Sequence, residues 1–197
     1  RANREILDRY EMAFKELPKL ALDHRFRIEH AQHLHPDDIP RFSELQVIPA
    51  MQAIHMSSDR PWAIDRLGKK RIKEGAYMWQ ALLQSGVPIV NGTDVPVEPL
   101  NPIASFYASV SRKTLKGLPE GGYEPEQKMT RAQALKSYTL DAAYGAFEED
   151  IKGSITIGKL ADFTIYDQDL MTVDEDKVLS TKVVMTIFDG KVVYTMK

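Results

Sequence analysis

The 197-residue sequence contains no cysteine, which excludes disulfides and thiolate metal sites together. Any metal it holds must be bound through nitrogen and oxygen. Long apolar runs are missing too: 43% of residues are hydrophobic, yet no uninterrupted stretch approaches the ~20 residues of a membrane span. Nor is there a run of one charge, because 26 Lys and Arg are interleaved with 28 Asp and Glu for a net charge of -2. A nucleic-acid binder needs a basic stripe to neutralise phosphates. Neither nucleic acid nor a membrane is therefore an expected partner. No internal repeat or low-complexity tract is present. The polar opening Arg1-Ala2-Asn3-Arg4-Glu5 lacks the apolar core of a signal peptide. If the natural start lies upstream, that says nothing about targeting; the compartment stays unread, with a leaning toward the cytoplasm.

What is present alternates between two periods. Ile6, Tyr10, Ala13 and Leu17 recur at helical spacing, and Pro18 follows where the pattern stops. Residues 26–30 read as a short strand ending in polar residues. Pro36-Asp37-Asp38 opens a second helix through Phe42 and Leu45, with its acids at the positive end of the helix dipole. Residues 47–51 form a second apolar strand. A loop is expected around Ser57-Ser58-Asp59-Arg60-Pro61, then one helix carrying Ile72, Ala76, Trp79 and Leu83 on a single side and ended by Gly86. A third strand over residues 87–90 runs into Asn91-Gly92-Thr93-Asp94. Strands alternating with helices predict parallel βαβ units rather than hairpins.

Residues 101–112 read as helix and residues 113–128 as loop. Thr130 with Gln133 makes a capping box for a helix bearing Ala134, Leu135 and Tyr138. Beyond Phe147 the character changes to short β-rich runs over residues 155–157, 163–166, 183–188 and 192–194. Asp189-Gly190 between the last two is a hairpin signal. The expected organisation is an α/β region over residues 1–148 and a small β unit over residues 149–197.

His30 ends one predicted strand and Asp94 follows another. In parallel α/β folds, ligands and catalytic groups gather at the C-terminal ends of strands. A neutral imidazole and a carboxylate converging there suit a divalent cation such as zinc. Such an ion brings the pKa of a water held on it down to about 7. A neighbouring carboxylate can then take the proton and pass it to a leaving amine, so Asp94 could serve as ligand and as proton shuttle. Each residue also has a structural reading. A lone histidine at a strand end is commonly a hydrogen-bonded structural residue, and Asp before a helix is commonly an N-cap.

The other histidines sort by position. His33 and His35 lie past the strand, where the chain turns toward Pro36, and read as loop or capping residues. His24 precedes the strand and belongs at its opposite end. His55, shortly after the second strand, reads equally as a substrate contact or as loop structure. Glu29 should point away from His30 and pair with Arg25 or Arg27. Trp62, Trp79 and the eight Met residues read mainly as packing, with Trp62, in a loop, the one tryptophan that could wall a pocket.

Taken in order, these segments resemble the amidohydrolase superfamily, in particular the subgroup of N-substituted formamide deformylase and the YtcJ-like hydrolases. Arg27-Ile28-Glu29-His30-Ala31-Gln32 looks like that subgroup's strand-six motif, and Pro36-Asp37-Asp38-Ile39-Pro40-Arg41-Phe42 continues it. The segment from Val47 to His55 is similar to the strand-seven motif, with Gln52 and His55 in place and Ala53 where proline is usual. Gly92-Thr93-Asp94-Val95-Pro96-Val97 resembles the strand-eight motif, in which serine is commoner than Thr93. Gly153 to Ile157, Gly158-Lys159-Leu160-Ala161-Asp162 and Asp189-Gly190-Lys191 resemble C-terminal β-sandwich strands.

The resemblance implies the C-terminal part of a (β/α)8 TIM-type barrel followed by strands of a β-sandwich. It implies that His30 and Asp94 are metal ligands, that Asp94 is also the acid/base, and that Gln52 and His55 border the substrate. It implies one or two zinc ions and a small amide-type substrate, cleaved at a non-peptide carbon–nitrogen bond. The rival expectations are a hydrolytic deaminase of a heterocycle on the same scaffold and an inactive structural fragment. The family's strand-one His-x-His and its strand-five His have no counterpart here, and a whole barrel needs roughly 250 residues. The chain is thus expected to be part of a longer enzyme, completed by N-terminal residues of the same protein or by a second copy. A partial barrel would leave a strand edge and apolar surface uncovered.

Overall fold

The computed structural model describes residues 1–19 and 22–197. Its centre is a three-stranded parallel sheet of β1 (Arg27–Glu29), β2 (Ile48–Met51) and β3 (Val90–Asn91), in the order β1-β2-β3. β2 is paired on both sides, with Ile28 opposite Pro49 and Ala50 opposite Val90. All four of its residues are buried, whereas β1 buries only Ile28. That contrast follows from position: a central parallel strand is covered on both faces and must be apolar throughout, and an outer strand need not be. Because all three strands run the same way, Glu29, Met51 and Asn91 end on one rim.

Helices supply the covering. α1 (Ala2–Glu16) turns Leu7 and Phe14 inward, and Phe14 stacks on His24 with 4.3 Å between ring centroids. A 3-10 turn (Pro36–Asp38) leads into α2 (Ile39–Glu44), which buries Ile39 and Phe42. Next come α3 (Ala53–Gly75), which is kinked at the non-helical Gly68 (φ 77°, ψ 159°), α4 (Trp79–Ser85) and α5 (Pro102–Ser111). A second 3-10 turn (Pro125–Gln127) precedes α6 (Arg131–Tyr138) and α7 (Leu140–Gly145). Trp79 and Leu82 on α4 are fully buried, and each such side chain contributes about 1.5–3 kcal/mol of burial free energy. Gly86 caps α4 in the left-handed conformation, as expected for a glycine there. Thr130 and Gln133 form both bonds of the capping box that starts α6. Among the described residues, no helix is long and apolar enough to cross a membrane.

Four local expectations need correction. The segment Ser57-Ser58-Asp59-Arg60-Pro61 is helical, not a loop. Ala53, Ile54, Met56 and Ala63 recur on its buried side, and that burial outweighs the one backbone bond Pro61 cannot donate. Trp62 then falls on the outer face of α3, 53% exposed, on a helix rather than in a loop. The single helix expected from Ile72 to Leu83 is two, α3 and α4. β3 is shorter than expected, and residues 155–157 form no strand. Ile155 and Ile157 stand in solvent with no ladder partner among the described residues, and a strand without a neighbour is not stable.

The break between α3 and α4 has a specific cause. After β1 the chain pairs with the end of α3: Leu34 N–H donates to the Gly75 carbonyl at 2.7 Å, and Tyr77 N–H to the Gln32 carbonyl at 2.9 Å. The contact is closed further by Arg112, which is fully buried. Its guanidinium donates to the carbonyls of Tyr77 (2.8 Å) and Tyr123 (2.6 Å), meets Glu124 at 3.4 Å, and lies over the Trp79 ring. Burial pushes the Arg112 pKa down to about 10, against the pull of Glu124. The group therefore remains charged at neutral pH. Arg60 shares Glu124 at 2.6 Å, so the half-buried carboxylate faces two cations.

The remainder is a three-stranded antiparallel sheet of β4 (Phe163–Tyr166), β5 (Val183–Phe188) and β6 (Lys191–Thr195), with β5 in the middle. A third 3-10 helix (Glu175–Ser180) precedes β5. Asp189 and Gly190 turn the β5–β6 hairpin with φ of 49° and 71°, both positive as a type I′ turn requires. Polar contacts tie this part to the rest: Lys113 to Glu175 at 2.7 Å, Arg25 to Glu149 at 2.7 Å, and Arg131 to the carbonyls of Leu170 and Val173. β1, β3, β4 and β6 each keep one edge unpaired among the described residues.

Gly75 tests the clamp between β1 and the sequence that follows α3. A Cβ there would lie 1.9 Å from the Leu34 carbonyl oxygen, so backbone would have to move. Gly75→Ala is expected to destabilise the protein by about 1–3 kcal/mol, read as a lowered denaturant midpoint. An unchanged midpoint would show that the clamp is not needed.

Candidate metal centre

The rim where the three strands end holds the polar residues singled out in the sequence. His30 directly follows β1. Its backbone is left-handed, with φ of 68° and of 41° at Ala31, and the Ala31 amide folds back to the Glu29 carbonyl at 2.9 Å. This stops the ladder and turns the imidazole over the sheet end. Gln52 follows β2 as the N-cap of α3, which sets His55 in the first turn of the helix. Asp94 follows β3, also left-handed at φ 59°, a conformation that Asp and Asn tolerate better than most residues.

The start of α3 and the strand end are fixed to one another. Asn91 accepts from the Ala53 amide at 3.2 Å and donates to the Ser137 hydroxyl at 3.0 Å. The Ser105 hydroxyl accepts from the Ile54 amide at 3.2 Å and from the Tyr138 hydroxyl at 2.6 Å. Burial raises the Tyr138 pKa to about 12, so that hydroxyl stays a donor across the physiological range. None of these polar positions was anticipated. They resemble ordinary cap and helix residues in the sequence, and only the fold brings them together.

His30, His55 and Asp94 each offer an atom such that all three atoms lie within 4.8 Å of one another. His55 Nε2 is 3.1 Å from Asp94 Oδ2, and the His30 and His55 rings are 5.9 Å apart. His55 is buried, His30 is exposed, and the Asp94 side chain is 33% exposed. A ligand arriving from solvent can therefore reach the cluster. Gln52 faces His30 rather than open space, its Oε1 at 2.8 Å from His30 Nδ1. Two nitrogens and a carboxylate oxygen are the donor set that zinc accepts in catalytic sites, and the spacing fits one ion.

A fourth group was missed by sequence reasoning. Glu98 Oε1 lies 3.3 Å from His55 Nδ1 and accepts from the Ser58 hydroxyl. The only signal available was its spacing of four from Asp94, which does not distinguish it from a solvated acid. In the structure the amides of Val97 and Glu98 both donate to the Asp94 carbonyl, at 2.8 and 3.3 Å, and this turn brings the second carboxylate back to the site.

The remaining histidines lie elsewhere. His24 accepts the Phe26 amide at Nδ1 (2.8 Å) and so donates from Nε2 to the Leu45 carbonyl (2.9 Å), at the far end of β1. His35 caps the first 3-10 turn by accepting from the Asp37 amide. His33 sits edge-on to Tyr77. Glu29 pairs with Arg27 at 2.6 Å on the surface.

Residues 1–194 match the amidohydrolase family. The protein LONG AFTER FAR-RED 3 of Arabidopsis thaliana is 35% identical over 98% of this chain and 32% of its own length. YtcJ of Bacillus subtilis (strain 168), described as an amidohydrolase, is 32% identical over 85% of this chain and 32% of its own. N-substituted formamide deformylase of Arthrobacter pascens is 28% identical over 58% of this chain and 21% of its own. Among solved structures, an uncharacterized metal-dependent hydrolase from Pyrococcus horikoshii OT3 aligns with a TM-score of 0.66 and 32% identity, covering 76% of this chain and 30% of that one. The fold is also that of the atrazine chlorohydrolase TrzN from Arthrobacter aurescens TC1, solved with zinc, at a TM-score of 0.59 and 19% identity over 86% of this chain and 36% of that one. The chain spans about a third or less of the length of the relatives it matches. It belongs to the amidohydrolase family.

Proposed function

We propose that this chain is the C-terminal part of a metal-dependent hydrolase. In this reading residues 1–148 supply the later strands of a β/α barrel, and residues 149–197 supply strands of a small β-sandwich. The complete enzyme hydrolyses a carbon–nitrogen bond, an amide or N-acyl group, in a small molecule other than a peptide. The observation that carries this is the meeting of His30, His55 and Asp94 at one rim of a parallel sheet. His30 and Asp94 are proposed as ligands to zinc, with one or two ions in the complete site. Gln52 and His55 border the substrate.

When bound, zinc supplies the Lewis acidity that acidifies a water molecule and polarises a carbonyl. The rest falls to the protein. Asp94, partly open to solvent, takes a proton from the attacking water and returns it to the leaving nitrogen, so that the C–N bond breaks to carboxylate and amine. Asn91 and Ser105 hold the start of α3 against the end of β3, which keeps His55 within reach of Asp94 while the proton moves. The unpaired edges of β1 and β3 are where the earlier barrel strands would join, and the exposed Ile155 and Ile157 where the sandwich would continue.

In the intact enzyme, His30→Ala and Asp94→Ala are each expected to lower turnover by at least about 10²-fold. Unaffected turnover in either variant would overturn the site. Stripping the enzyme with a chelator should abolish activity and added zinc should restore it; full activity in the stripped protein would remove the metal from the reaction. Product analysis decides the bond. Amine plus carboxylate supports the reading, and ammonia from a heterocyclic substrate would replace it by deamination.

A further inference from the structure

We propose that Glu98 is a positioning residue: it fixes the tautomer of His55 and so makes His55 a third protein donor to the cation held by His30 and Asp94. The inference rests on the metal-site reading above and deepens it: His55, placed there beside the substrate, is also a donor to the ion.

The argument starts from what each group can do. A carboxylate only accepts hydrogen bonds, and a neutral imidazole has one N–H and one lone pair. Glu98 faces His55 Nδ1 at 3.3 Å and already accepts from the Ser58 hydroxyl. Its side chain is 13% exposed, so water cannot readily substitute for the imidazole. With an ion on Nε2, the one proton of a neutral His55 has to sit on Nδ1, where Glu98 is placed to accept it. Nε2 is left with a lone pair, and it faces Asp94 Oδ2 at 3.1 Å. Without an ion a proton on Nε2 bridges that gap as a hydrogen bond; with one, the cation takes the proton's place between the two acceptors. Two donors on one tetrahedral zinc, each at about 2.0–2.2 Å, stand roughly 3.3–3.5 Å apart. The observed pair is close to that spacing.

His30 is arranged in the same way. Its Nδ1 is engaged by Gln52 Oε1 at 2.8 Å, which likewise leaves Nε2 free. Each imidazole of the cluster thus spends Nδ1 on an oxygen acceptor, the arrangement by which an outer group orients a metal-bound histidine and raises its basicity. Glu98, being charged, should do this more strongly than the neutral Gln52 amide. Both contacts of Glu98 are set by backbone geometry. Ser58 follows His55 by three residues in α3, and Glu98 follows Asp94 by four in a turn closed on the Asp94 carbonyl.

The test is made on the intact zinc-loaded enzyme, with zinc affinity measured by chelator competition. Glu98→Ala and His55→Ala are each expected to weaken zinc by about 10–100-fold, while Glu98→Gln, which keeps an acceptor oxygen, should recover most of the affinity. Nitrogen-15 NMR of the wild-type holoenzyme should show His55 protonated at Nδ1 and not at Nε2, a readout that does not depend on whether any variant folds. Zinc affinity within twofold of wild type in Glu98→Ala, unweakened zinc in His55→Ala, or an Nε2-protonated His55 would each overturn the proposal. If His30→Ala and Asp94→Ala also leave zinc in place, the metal site itself has failed. If those two lose zinc and Glu98→Ala does not, only the role of Glu98 has.

Discussion

The pairing of β2 with a parallel neighbour on each side is the constraint on which the rest depends. Parallel strands share a direction, so the residues that follow them share a rim. His30, Gln52 and the 92–94 turn are far apart in sequence, and they meet because β1, β2 and β3 stop together. The sheet does not need long strands for this. β3 is paired over only two residues, and its position is secured by side chains instead: Asn91 to the Ala53 amide and Ser137, with Ser105 holding the next amide of α3. Local polar bonds thus replace ladder length at the point where the site requires accuracy.

Behind the sheet, the buried Arg112 performs a related task at lower precision. Taking a guanidinium out of water is costly, and a buried charge is tolerated only where its donors are used. Arg112 directs them at two backbone carbonyls and at Glu124, which Arg60 also neutralises. Arg60 lies on α3 and Glu124 precedes the second 3-10 turn, so this network anchors the helix that carries His55 a little over one turn beyond that residue.

The order of elements was legible in the sequence because period and punctuation agreed. Gly86, the Thr130–Gln133 box and Asp189-Gly190 each mark a boundary that the structure keeps. Reading failed where tertiary contacts overrode local preference. Ser57 to Pro61 has the composition of a loop but is helical, because the apolar residues around it are drawn into the core. Ala76 to Met78 has helical periodicity but is diverted, because residues 32–34 claim its backbone. At the candidate site, His30 and Asp94 could be picked out since one ends a predicted strand and the other lies just past one. Glu98 could not, because its proposed role depends on a turn of 94–98 that no motif specifies.

Backbone strain links these observations. His30 and Asp94 both occupy left-handed conformations that cost an ordinary residue about 1–2 kcal/mol. Glycine would relieve that cost, and it is used freely elsewhere in this chain where only a turn is needed, as at Gly86 and Gly190. At positions 30 and 94 the donor atom is indispensable to the proposed chemistry, so glycine is not an option. The strained conformations turn both side chains sharply from the strand direction and across the rim, toward His55. A regular extension of β1 or β3 would carry them past it. Strain of this kind persists only where surrounding contacts over-determine it. Here those contacts are the Gln52 bond to His30 and the Val97 and Glu98 amides on the Asp94 carbonyl. The groups that orient the site are therefore the same ones that hold its backbone out of the ordinary range.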